Sequence, residues 1–158
     1  MSRKHKKHKK QKKHGYSGNT SGPKTQILKN LASSGLWKGV RIGTRPPGME
    51  KMSEVLLHFA APLLNSAPND AAYELALTFS IAVWNLSLIP PEGQAVQMQE
   101  LIEATGKDDP GETRAIIEML LQRKQTHFPE NRRLIADYTL SCTGGQRHLT
   151  VASTEIEL

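Results

Sequence analysis

Asp137, Ser141 and His148 are the residue types of an orienting carboxylate, a nucleophile and a general base, and all three fall in one alternating apolar and polar segment. If that segment is a hairpin closed at Gly144-Gly145, Ser141 lies opposite His148 on one face. Asp137 is then four residues along the strand from Ser141, about 13 Å away at roughly 3.3 Å per residue. A triad needs hydrogen-bond reach between each pair, so the spacing argues against one.

The other candidate pairs have simpler readings. Glu54 and His58 stand four apart on a predicted helix, the spacing of a surface pair. Asp108 and Asp109 precede Pro110 and are explained by helix capping, and residues 107–111 lack the alternating oxygen ligands of a calcium loop. Cys142 is the only cysteine, which excludes an intrachain disulfide framework and a multi-cysteine zinc site. It sits beside a turn, with no predicted helix N-terminus to activate the thiol. No G-x-S-x-G elbow, phosphate-binding loop, dinucleotide fingerprint or H-E-x-x-H pair occurs. The chain is read as non-catalytic, with no metal ligand and no cofactor.

Charge points instead to binding. The 158 residues hold 21 Lys and Arg against 15 Asp and Glu, a net charge of +6. Residues 1–49 carry 13 of the basic side chains and no acid, while residues 50–158 carry the other 8 with all 15 acids, leaving that body at −7. Any contact with phosphate is therefore expected from the first 49 residues. Arg3, Lys4, Lys6, Lys7, Lys9, Lys10, Lys12 and Lys13 crowd a stretch without an apolar side chain. Burying nothing, it cannot offset an ordering cost of roughly 1–2 kcal/mol per residue, and disorder is expected. Seven of these eight are Lys, a compact point charge, so non-specific phosphate contact is expected rather than base readout. RNA is preferred to DNA because no DNA-reading motif appears. A solvated run with no partner, or a nuclear or nucleolar address if the source cell has a nucleus, stays open. His5, His8 and His14 lie among lysines, whose repulsion disfavours a divalent cation.

Residues 1–23 thus read as a basic arm with a Gly/Ser linker, and residues 24–48 as a basic connecting segment with apolar content. In the latter, Ile27, Leu28 and Leu31 fit a short amphipathic turn, and Leu36, Trp37, Val40 and Ile42 interleave with Lys38, Arg41 and Arg45. Trp37 beside Lys38, Arg41 and Arg45 suits stacking on an unpaired base, though large apolar side chains usually find a core, and Leu36 and Trp37 are read first as anchors of the segment on the helical domain. The most apolar run, residues 78–89, spans twelve residues, short of the roughly twenty of a membrane span, so a soluble, cytoplasmic chain is expected.

Residues 49–158 must supply the folded domain. Periodicity and punctuation predict four helices. The first covers about 49–65, with Met52, Val55, Leu56, Phe59 and Leu63 inward and Pro62 kinking or ending it near Ala61. The second runs from Asn69 or Asp70 to about Ile89 and is apolar on two stripes (Tyr73, Leu77, Trp84, Leu88; Leu75, Phe79, Ala82, Leu86, Ile89), as befits a central helix. Glu74, Thr78 and Asn85 form its polar line; a buried Asn85 would need partners. The third covers about 92–105 around Ala95, Met98, Leu101 and Ile102. The fourth starts at Asp109-Pro110, places Ile116, Ile117, Leu120 and Leu121 inward and Arg123 and Lys124 in its last turns, and ends at Phe128-Pro129. The period then changes to two, and the hairpin register pairs Leu140 with Leu149, Tyr138 with Val151 and Ala136 with Ser153, with Leu134 on the same apolar face.

The expected fold class is α+β, a four-helix core followed by a C-terminal antiparallel β-hairpin, with a disordered basic N-terminal arm. The expected function is an accessory protein whose arm contacts RNA and whose acidic body binds a protein partner. The alternative is a pure interaction or self-assembling module that uses the hairpin edge, its arm incidental. A small enzyme with an unrecognised site is the third reading.

Overall fold

Asn69 and Asp109 start two of the helices as their chemistry dictates. The Asn69 carboxamide oxygen accepts from the Ala72 N–H and the Asp109 carboxylate from the Glu112 N–H, both at 2.9 Å, so each occupies a donor that the first helical turn leaves unpaired. The computed structural model describes residues 50–106 and 108–156. They form α1 (Met52–Leu64), α2 (Asp70–Leu86), α3 (Pro91–Thr105), α4 (Pro110–His127), β1 (Arg133–Thr143) and β2 (Gln146–Glu155), an α+β layout of four helices and a two-stranded antiparallel hairpin. No helix among the described residues is long and apolar enough to cross a membrane.

α2 is the central element. Every residue from Ser80 to Leu86 is buried, with α1, α3, α4 and the hairpin packed around it. Trp84 and Phe59 are fully enclosed and meet edge to face at 5.1 Å between ring centroids. The helix ends at Leu86, three residues before the expected Ile89. Pro90 disfavours helical conformation at the residue before it, and Ser87 turns its hydroxyl back onto the Trp84 carbonyl. The expected polar line is not a solvated one, since Thr78 and Asn85 are both buried. Leu75, expected to face the core, is 59 % exposed.

Three further expectations change. Pro62 does not end α1 near Ala61; the helix runs on to Leu64, and the Asn65 N–H returns to the Ala61 carbonyl. Buried Leu64 takes the core position expected of Leu63, which is half-buried. α3 packs through Leu101 and Ile102 in its second half, leaving Ala95 exposed. At its end Gly106 permits a close approach: a Cβ there would meet Thr113 Oγ1 at 2.5 Å.

In the hairpin, Gly144 and Gly145 both have positive φ, 60° and 78°, the conformation a two-residue turn needs and L side chains resist. The register Leu140–Leu149 and Tyr138–Val151 holds from the turn back to Asp137. There a bulge leaves Ala136 over, so Ile135, not Ala136, pairs with Ser153. Ile135 is thereby buried in the core and Ala136 exposed.

Candidate functional site

The residues expected to contact nucleic acid, from Arg3 to Lys13 and then Trp37, Lys38, Arg41 and Arg45, lie outside the described residues, as do the boundaries at residues 23 and 48. The other candidates lie in the described body. Ser141 and His148 face each other in the register and are exposed. Asp137 turns its carboxylate to the N–H of Tyr138, 2.8 Å away. Glu54 pairs with Lys51 at 3.6 Å rather than with His58, whose ring sits edge-on to Phe128. Among the described residues no group of three or more His, Cys, Asp or Glu could hold a metal ion.

The bulge at Ala136 is where the hairpin meets α2. Asn85, only 4 % exposed, donates from Nδ2 to the Ile135 carbonyl at 2.9 Å and accepts from the Ile135 N–H at 3.0 Å. One carboxamide thus does what a neighbouring strand would do at that residue. The Trp84 indole N–H donates to the Arg133 carbonyl at 2.8 Å, and the Thr78 and Tyr138 hydroxyls share a hydrogen bond at 2.6 Å. The outer edge of β1 is therefore occupied from Arg133 to Ile135, where a strand from another molecule would otherwise pair.

Exposed Leu75 opens onto a groove of about 600 Å³ between the end of α1 and helices α2, α3 and α4. Its walls carry no charged side chain and include Ala67, Ala72, Ala76 and Ala104, whose small size leaves room for large apolar groups. The helices that form it also carry acids: Glu74 on α2, Glu100 and Glu103 on α3, Glu112 on α4. The cation Arg114 on α4 is engaged with Gln99 on α3, at 3.0 Å.

Lys124 lies in the last turn of α4, as expected of a cation that complements the helix dipole, and is only 5 % exposed. The spacing Ile117, Leu120, Leu121, Lys124 continues the apolar stripe and carries that signal in the sequence. Its ammonium donates to the Phe128 carbonyl at 2.7 Å and lies 4.7 Å from the centroid of the Trp84 ring, with no carboxylate partner among the described residues. Burial, and secondarily the charge of Arg132, hold its pKa below the usual lysine value. The unfolded chain, with a lysine near about 10.4, binds the proton more tightly than the native one. Stability should thus rise as pH climbs from the lowered value toward about 10.4 and fall back as pH drops through the lowered value. Urea midpoints measured over that range should rise in the wild type and show a smaller rise in Lys124→Met; equal slopes would show that Lys124 is not the group responsible. No family model, no curated protein and no solved structure matches the chain.

Proposed function

We propose that the chain is a non-catalytic adaptor: residues 1–49 hold RNA through phosphate contacts, and the acidic body takes an amphipathic helix of a protein partner in the groove beside Leu75. The observation that carries this is the groove itself, about 600 Å³ with no charged side chain in its lining, in a body of charge −7 with acids on all three helices that wall it. An amphipathic helix lays its apolar face into such a groove, and the net negative charge of the body favours one whose polar face is basic. For the RNA half, the 13 cations and the absence of acids in residues 1–49 are the support. Single-stranded RNA releases about 0.7 counterions per phosphate neutralised, so the eight cations before residue 14 would give a log–log salt slope of up to about 5–6.

The test pairs two probes on the full chain. A labelled oligouridylate should bind at low salt, weaken steeply as salt rises, and lose most of its affinity when residues 1–14 are removed. A Leu/Lys amphipathic helical peptide should bind with an affinity that Leu75→Glu abolishes, while a Leu/Glu peptide of the same pattern should not bind. RNA affinity indifferent to residues 1–14 would overturn the first half, and peptide binding indifferent to Leu75→Glu the second.

A further inference from the structure

A second groove, of about 470 Å³, lies where the α2–α3 connection faces the last turn of α4 and the start of β1. Lys124, Gln125, Arg132 and Ser87 supply its polar lining, Pro90 and Pro91 part of an otherwise apolar wall, and none of the lining side chains is acidic. Lys124 is buried, and Arg132 is exposed and forms no side-chain hydrogen bond or ion pair among the described residues. A buried ammonium beside a second cation, with no carboxylate among the described side chains that line the groove, is an arrangement that an incoming oxyanion relieves. The lowered pKa of Lys124, caused in part by Arg132, reports the same proximity of the two charges.

The ligand is narrowed by the rest of the lining. The volume falls within the roughly 300–1,000 Å³ of small-molecule sites, larger than a bare inorganic anion requires. Prolines and aliphatic side chains offer flat apolar contact without base-specific hydrogen bonding, which suits a sugar and base of any sequence. The junction with the basic segment is also close: Arg133, next to Arg132, donates to the Glu50 carbonyl at 3.3 Å, and residues 1–49 join the described body there.

We propose that this groove binds one nucleotide of a single-stranded RNA, its phosphate between Lys124 and Arg132 and its sugar and base against Pro90 and Pro91. The inference rests on the reading that residues 1–49 hold RNA, and it adds a contact on the acidic body to a strand otherwise held by the arm. Arg132 is exposed and has no side-chain partner among the described residues, so Arg132→Gln leaves the fold intact, which a thermal melt checks.

Two measurements on the full chain decide it. In amide NMR spectra, uridine monophosphate should shift Ser87, Gln125 and Arg132, and inorganic phosphate should shift them less; Arg132→Gln should remove the response. In oligouridylate binding, Arg132→Gln should lower the log–log salt slope by about 0.7, the share of one single-strand phosphate. Equal shifts with phosphate and uridine monophosphate would identify an adventitious anion only and overturn the nucleotide site. Absent shifts and an unchanged slope would overturn it as well, even if removing residues 1–14 abolishes RNA binding, in which case the arm's role stands alone. Shifts that Arg132→Gln removes, together with RNA affinity indifferent to residues 1–14, would support the groove and sink the arm.

Discussion

Replacing Asn85 with leucine is expected to destabilise the fold by about 2–6 kcal/mol, because it strands two buried backbone groups of Ile135 at once, each worth about 1–3 kcal/mol when left unpaired. Leucine branches at the same carbon as asparagine and is apolar but bulkier, so crowding at this buried position adds to the loss. The rest comes from the donor at 2.9 Å and the acceptor at 3.0 Å that only a carboxamide supplies together. Set against a total stability of about 5–15 kcal/mol, this is a large fraction. Urea unfolding followed by circular dichroism gives the magnitude, and faster hydrogen exchange at the Ile135 amide locates it. Asn85→Asp sharpens the test. An ionised carboxylate still accepts from the Ile135 N–H but repels its carbonyl, whereas the protonated acid can donate to that carbonyl. The Asp variant should therefore gain stability relative to wild type as pH falls and the buried carboxyl takes up its proton. A cost for Asn85→Leu below about 0.5 kcal/mol, the range of ordinary surface changes, would show that the hairpin does not depend on this contact.

The same contact explains which parts of the fold were legible in the sequence. Helix starts at Asn69 and Asp109-Pro110, the stop at Pro90, and the turn at Gly144-Gly145 are local events, set by residues within one turn of the boundary they make. The bulge at Ala136 is not local. Alternation along 133–140 favours Ala136 on the inner face, and the shift to Ile135 accompanies the bonds that Asn85, 50 residues earlier, makes to its backbone. The groove beside Leu75 was equally hidden, because an apolar stripe says that a side chain is fit for burial and not what covers it. Leu75 and Leu77 are the same residue type two positions apart, one 59 % exposed and the other fully buried. Lys124 was legible by its spacing, but its charge outweighed the stripe; the Trp84 face and the Phe128 carbonyl are what let an ammonium sit there.

Pro62 poses the converse problem: a helix breaker the helix ignores. Without an N–H, Pro62 cannot bond the carbonyl four residues earlier, which is that of His58, and its ring crowds that oxygen. Arg123 on α4 takes up this acceptor. Its Nη2 donates to the His58 carbonyl at 2.9 Å and its Nε to the Phe59 carbonyl at 3.2 Å. The pair ties α1 to α4 at the point where α1 is weakest. Arg123→Met, which keeps the aliphatic stem, should then cost about 1.5–3 kcal/mol, the range for hydrogen bonds from a charged donor. Pro62→Ala should stabilise by up to about 3 kcal/mol, since it restores the helical bond and removes the clash. The decisive quantity is the coupling. Once residue 62 has an N–H of its own, the His58 carbonyl has a partner within α1, and Arg123→Met in the Pro62→Ala background should cost about 1 kcal/mol less than in the wild type, within the range for residues sharing a partner. Urea unfolding of the four chains closes the cycle. Additivity within about 0.3–0.5 kcal/mol would mean that Arg123 holds α1 for reasons unconnected with the proline. A positive coupling would show that the proline is tolerated because a second helix supplies the donor it lacks.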